Sequence, residues 1–212
     1  GHRTFDQLPK ELAAVAADLE NGRRIIFTSS RMGAQLDRTV LERFLPPPGP
    51  NKPGCPTIVI DDMGDVGRAV AASCAIPGIF HPVTVGDLRL VDGGIVDQVP
   101  VDVVEAMGGR PTIGVSLSFS RAPAQLKTIG SVFSRVIGML GTQQLRRSLD
   151  LADIGFQIPG IEQRSLVDTQ QYDLMDIGEQ AMKSQFPRLE AYDRGKRPAG
   201  RIRRAFSELI RE

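Results

Sequence analysis

Between residues 81 and 117 the chain changes hydrophobic period repeatedly, and nearly every change is marked by glycine or proline. Two short strand-like runs, HPVTV (81–85) and LRLVD (88–92), flank a Gly86-Asp87 pair that suits a tight reversal. Pro100 then opens a helical pattern, VDVVEAM, and Gly108-Gly109 closes it, the proline-first and glycine-last order of helix ends. A continuous apolar run, TIGVSL (112–117), follows and reads as a strand buried on both faces. Strands and helices alternating at this spacing predict an α/β fold.

The flanking segments extend the same alternation. Leu12, Val15 and Leu19 have helical spacing, but they run into Asn21-Gly22, a strong hairpin signal. The turn chemistry predicts a strand through about Ala17, a reversal, and a second strand from Arg24 to Thr28. Residues 31–56 hold a short helical pattern and then two Pro/Gly clusters, which predicts a loop excursion from the core. A β-branched strand over Thr57 to Ile60 and a small-residue helix from about Val66 to Ala75 lead to Pro77-Gly78. Farther on, Ile129, Val132, Phe133, Val136, Ile137, Leu140 and Leu145 recur at three- and four-residue intervals, an amphipathic helix over about 126–149. A strand IGFQI, a helix from about Met175 to Phe186, and a basic helical tail over 191–212 complete the expectation, with 1–190 as one domain.

A chain of 212 residues can bury roughly 70% of its unfolded surface without staples. Lys and Arg number 26 against 25 Asp and Glu, a balance that argues against nucleic acid as a partner. Cys55 and Cys74 are too few for a disulfide framework or a clustered zinc site, so each reads as a structural thiol and Cys74 as a small buried hydrophobe. No run approaches the ~20 apolar residues of a membrane span. With no apolar leader in sight, the expectation is a cytoplasmic protein, at most peripheral at membranes, that uses no metal and no cofactor.

The informative block is ASCAIPGIFHPVTVGDLRLVDGGIVDQVPVDVVEAMGG, with AADLENG upstream. In the order A-x-D-L-x-x-G, A-S-x-A-I-P-G-x-F-x-P-V, D-G-G, P-V, the chain resembles the patatin-like phospholipase family. The resemblance covers most of residues 5–190 and is most specific in the middle third. It implies a three-layer α/β/α sandwich, here without the N-terminal β-α unit that carries the nucleophile. It also implies that Asp92 is the partner of a catalytic serine, with Gly93 and Gly94 shaping the site. The residues fit that role: a carboxylate ending an apolar strand is rigidly held, and two glycines leave room for a second element to approach. An unperturbed aspartate titrates near ~3.9 and needs burial or close hydrogen bonding to act as a base.

Within this chain the serine is missing. No G-x-S-x-G occurs. Ser116 lies in the apolar run and Ser73 in the small-residue helix, both read as structural, while His81 reads as a surface residue and Asp97 as a turn former or helix neighbour. The resemblance therefore implies a serine acyl hydrolase acting on acyl lipids at a membrane surface, to which this chain supplies the aspartate and a missing N-terminal part of the same domain the serine. The alternative is a catalytically inactive relative that binds lipid or protein.

Overall fold

A computed structural model describes residues 3–43, 56–61, 63–117, 132, 136, 145–158 and 171–196. The chain divides into two compact units, 1–116 with 123–155, and 117–122 with 156–212.

The first unit is built on a five-stranded sheet. Its strands are β1 (Ala14–Asp18), β2 (Arg24–Phe27), β3 (Thr57–Ile60), β4 (Val83–Val85) and β5 (Leu88–Asp92), in the order β3-β2-β1-β5-β4. Only the β2–β3 pair is parallel; β1 pairs antiparallel with both β2 and β5, and β4 with β5. Helices α1 (Ser30–Gln35) and α2 (Arg38–Arg43) follow β2, α3 (Val66–Ser73) follows β3, and α4 (Val101–Ala106) follows β5.

Both faces of the sheet are buried at its central strands β1 and β2, and strand alternation sorts the residues between them. Ala14, Ala16, Ile25, Phe27 and Leu90 pack on one face with Ala69 and Ala72 of α3, where methyl-sized side chains let the helix lie close. Val15 and Ile26 point to the other face and meet Leu36, Val40 and Leu41 with Val103 and Ala106 of α4. Helix, sheet and helix thus form the three layers of the expected α/β/α sandwich within this one unit. Two-faced burial also explains why AVAA and RIIF read as continuous runs, with little polar alternation.

The A-x-D-L-x-x-G string has a physical cause. Strand pairing ends at Ala17↔Arg24, and the chain reverses over four residues, from Leu19 to Gly22, a wider turn than a two-residue Asn-Gly hairpin. Gly22 sits at φ +63°, where a side chain is strained. The Asp18 carboxylate organises the loop by accepting hydrogen bonds from the Glu20 N–H (3.2 Å), Asn21 Nδ2 (3.0 Å) and Arg23 Nε (2.8 Å). By contrast the Gly86-Asp87 reversal is the expected two-residue turn, between Val85 and Leu88, with Gly86 at φ +55°.

Several expectations need correction. Helix α3 stops at Ser73, two residues early, and Cys74 lies exposed just past it instead of buried. The helix packs through Ala69 and Ala72, and the chain turns before Cys74 can join that face. Strand β6 (Ile113–Leu117) is not buried on both faces: Gly114 and Ser116 are buried, while Val115 and Leu117 are exposed. Among the described residues it pairs with β7 (Ile154–Ile158) alone. Of the expected 126–149 helix, the described positions are helical, including α5 (145–151), and Leu145 is buried, whereas Val132 and Val136 are exposed. Segment 31–56 begins with two helices, α1 and α2; its residues 44–55 lie outside the described ones, as does the tail from 197 onward. In the second unit α6 (Gln171–Lys196) runs well past Phe186 and through Pro187, which costs one backbone hydrogen bond without ending the helix.

The Asp18 carboxyl is held below its ordinary value. Burial opposes ionisation, but the hydrogen bonds from Asn21, Arg23 and the Glu20 N–H, with the Arg23 charge, outweigh it. A depressed folded-state value means that this contribution is complete above about pH 4 and is lost as pH falls through the folded-state value. Asp18→Asn is expected to cost about 1–3 kcal/mol at neutral pH, read by urea denaturation, and the gap to wild type should narrow in acid. An equal gap at pH 7 and pH 3 would contradict this account.

Candidate active site

The sheet leads directly to Asp92. β5 ends on this residue, opposite Ala16 of β1, and its backbone N–H donates to the Ala75 carbonyl just beyond α3 at 2.9 Å. The chain then enters a single 3-10 turn, Gly93–Ile95, for which Asp92 is the cap: its Oδ1 accepts the Gly94 N–H at 2.7 Å. Among the described residues the other carboxylate oxygen carries no hydrogen bond, and the residue is half-buried.

The two glycines have distinct reasons to be glycine. A Cβ on Gly93 would stand 2.2 Å from the Val15 carbonyl oxygen, because the turn passes directly against β1. A Cβ on Gly94 would come to 3.0 Å from Asp92 Oδ1 and crowd the carboxylate itself. Neither needs positive φ; both need the absence of a side chain.

The turn closes through the Gly93 carbonyl, which accepts the N–H groups of Val96 (3.0 Å) and Asp97 (2.8 Å). Asp97 is no ordinary turn former. Its Oδ2 meets Arg24 Nη1 at 2.6 Å, and the same nitrogen meets Asp102 Oδ2 at 2.8 Å. These side chains are 9%, 3% and 5% exposed respectively. Arg24 Nε also donates to Thr57 Oγ1 at 3.2 Å, whereas Nη2 is buried with no partner among the described residues.

One cation buried against two carboxylates leaves the cluster negative when both are ionised, so taking up a proton is favoured. Burial first, and then the Asp102 charge, push the Asp97 carboxyl up to about 6 against the opposing pull of Arg24. The sequence held a signal for this cluster: an arginine within a strand otherwise apolar on both faces must find a buried counter-charge. Which carboxylates would meet it depended on where the turn after β5 and the first turn of α4 come to lie.

The remaining sequence candidates sit elsewhere. His81 is on the surface, Ser116 is buried in β6, and Ser73 closes α3. Among the described residues no helix is long and apolar enough to cross a membrane.

Comparison with known proteins falls on the same region. Residues 59–104 match the family model described as patatin-like phospholipase, a stretch that contains Asp92, Gly93, Gly94, Asp97 and Asp102 but not Arg24. The chain is 31% identical over 138 residues to the uncharacterized protein YqhO of Bacillus subtilis, a match covering 63% of this chain and 40% of that protein. It is 41% identical over 59 residues to the uncharacterized NTE family protein Rv1063c of Mycobacterium tuberculosis, covering 28% of this chain and 16% of that one. A third similarity, 37% over 67 residues, is to the uncharacterized NTE family protein Rv2565 of the same organism, covering 32% and 12%. The chain thus spans less than half the length of these relatives.

Two outcomes follow from the geometry. Gly93→Ala forces a carbon into the Val15 carbonyl and is expected to destabilise the protein by about 1–3 kcal/mol in urea denaturation; a neutral result would mean that the turn does not pack against β1. A raised folded-state value for Asp97 means that the native protein holds a proton which the unfolded chain has released, so stability falls as pH rises from about 4 to about 6 and then levels. Asp97→Asn should remove most of that slope, measured as urea midpoints across the window, and an unchanged slope would assign the proton to another group.

Proposed function

On the premise that this chain is patatin-like across its 59–104 segment, we propose that it supplies the aspartate of a serine acyl hydrolase acting on acyl lipids, with Asp92 as the base of a Ser-Asp dyad. The observation that carries the reading is the carboxylate at the end of β5, with one oxygen held by the Gly94 N–H and the other without a hydrogen bond among the described residues.

In this mechanism the open Asp92 oxygen accepts the proton of a serine hydroxyl as the serine oxygen attacks an ester carbonyl. The proton passes to the leaving alcohol as the carbonyl re-forms, giving an acyl-serine. Asp92 then takes a proton from water, whose oxygen attacks the acyl carbon, and returns it to the serine as the fatty acid departs. Held by one N–H and a rigid strand, Asp92 is oriented before substrate arrives, which is where a positioned base gains its rate. Gly93 lets the turn lie against β1, and Gly94, without a Cβ, keeps the carboxylate uncrowded for the serine-bearing element. No G-x-S-x-G occurs in the 212 residues, so in this reading the serine comes from an N-terminal part of the same domain outside them, and the substrate is a phospholipid, lysophospholipid or neutral acyl ester met at a membrane surface.

The test is hydrolysis of a p-nitrophenyl acyl ester and of phospholipid vesicles by the longer gene product that carries the serine. Asp92→Asn is expected to lower kcat by a factor of ~100 or more with little change in KM, the range of a lost general base. Wild-type turnover by Asp92→Asn would remove Asp92 from the mechanism. Absence of phosphonate-sensitive hydrolysis in the unaltered protein would favour the inactive lipid- or protein-binding module instead.

A further inference from the structure

We propose that Arg24, Asp97 and Asp102 form a buried positioning clamp for Asp92, which holds the Asp92–Asp97 turn from the sheet face opposite the carboxylate. This rests on the role proposed for Asp92, but its geometry stands by itself.

Alternation along β5 places Asp92 on the same face as Leu90, the face that packs with α3. Alternation along β2 places Arg24 on the other face, with Ile26, where α4 lies. Asp92 is fixed on its own face by the Ala16 pairing and by donation of its N–H to the Ala75 carbonyl. The chain beyond it packs against Val15 of β1, the middle strand of the sheet. From the other face the Asp97 carboxylate on Arg24 ties down the far end of the turn, while the Gly93 carbonyl, bonded to the N–H groups of Val96 and Asp97, makes the intervening turn a short closed unit. A shift at Asp97 is therefore delivered to Gly94, whose N–H orients the Asp92 carboxylate.

Asp102 serves the same end from the next element. It lies in the first turn of α4, where its Oδ1 accepts the Val103 N–H and its Oδ2 binds the same arginine nitrogen as Asp97. The arginine therefore ties together β2, the Asp92 turn and the start of α4, and through Thr57 it also reaches β3. As a device for stability alone the cluster is poor: it carries two carboxylates for one cation and leaves Arg24 Nη2 without a partner among the described residues. A buried ion pair commonly does no better than apolar residues of the same volume would. Its distinguishing product is a defined position for the Asp92 turn.

The ionisable groups of the clamp are Arg24 from β2, Asp97 from the turn and Asp102 from α4. The Gly94 amide reports on it directly. Because this N–H donates to Asp92 Oδ1, its proton shift follows the geometry of that hydrogen bond, and its hydrogen exchange follows the integrity of the turn.

The experiment is NMR on this chain, unaltered and as Asp97→Asn and Arg24→Lys, each compared with the amides of Ile25 and Ile26 in the central strands. In both variants exchange at Gly94, Val96 and residue 97 is expected to quicken at least tenfold more than at Ile25 and Ile26, with a displaced Gly94 proton shift. In the unaltered chain the Gly94 shift should also move as pH crosses about 6, the value to which Asp97 is pushed. Exchange that changes in step across turn and strands, or not at all, together with a Gly94 shift indifferent to pH 6, would overturn the clamp and reduce the cluster to a general structural element. The two substitutions act on opposite ends of one ion pair, so the exchange comparison on either one that folds decides the matter. None of these readouts depends on hydrolysis, so the clamp can fail while Asp92 remains the base, and the reverse.

Discussion

A guanidinium buried beneath the sheet is the constraint to which much of the first unit answers. Arg24 occupies the first position of β2 on a face otherwise made of Val15, Ile26, Val103 and Ala106. A charge in such a place is tolerated only when counter-charges meet it. Asp97 and Asp102 do so, and each comes from a different element, so satisfying the charge also decides where the turn after β5 runs and where α4 begins. The apolar contacts supply the driving force for the layers, but area burial is non-directional. The ion cluster supplies the register between them.

The same region shows how steric and electrostatic demands share the work. Gly93 lets the turn lie against the Val15 carbonyl, closer than any side chain would permit. Gly94 leaves its N–H and its missing Cβ to the Asp92 carboxylate. Asp18, at the far end of β1 from Val15, uses a different device: a carboxylate cage of hydrogen bonds fixes the β1–β2 turn, and that turn sets the register that brings Arg24 opposite Ala17. Two motifs that look separate in sequence, A-x-D-L-x-x-G and D-G-G, are therefore linked through β1 and β2.

Much of this was legible before the structure. The two-residue turn at Gly86-Asp87, the strands on either side of it and the helix opened by Pro100 follow from local chemistry, since turn residues and hydrophobic period act over a few positions. The helix at Met175 was cut short because Pro187 reads as a helix end, whereas Cys74 and β6 were misread for one reason. Burial is a property of what packs opposite, and an apolar run such as TIGVSL has the same composition whether one face or two are covered. Asp97 was read as a local turn residue because its partner lies 73 positions away.

By itself, then, the sequence determined the alternation of strands and helices, the turns that demand glycine, and the presence of one aspartate at the end of an apolar strand followed by two glycines. These are local consequences of dihedral freedom, side-chain period and strand termination. Only the tertiary structure decided that β1 lies between β2 and β5, that Asp92 and Arg24 fall on opposite faces of one sheet, and that Asp97 and Asp102 converge on a single arginine nitrogen. Those facts depend on which distant segments become neighbours, and Coulomb attraction and close packing act between neighbours in space, whatever their separation along the chain.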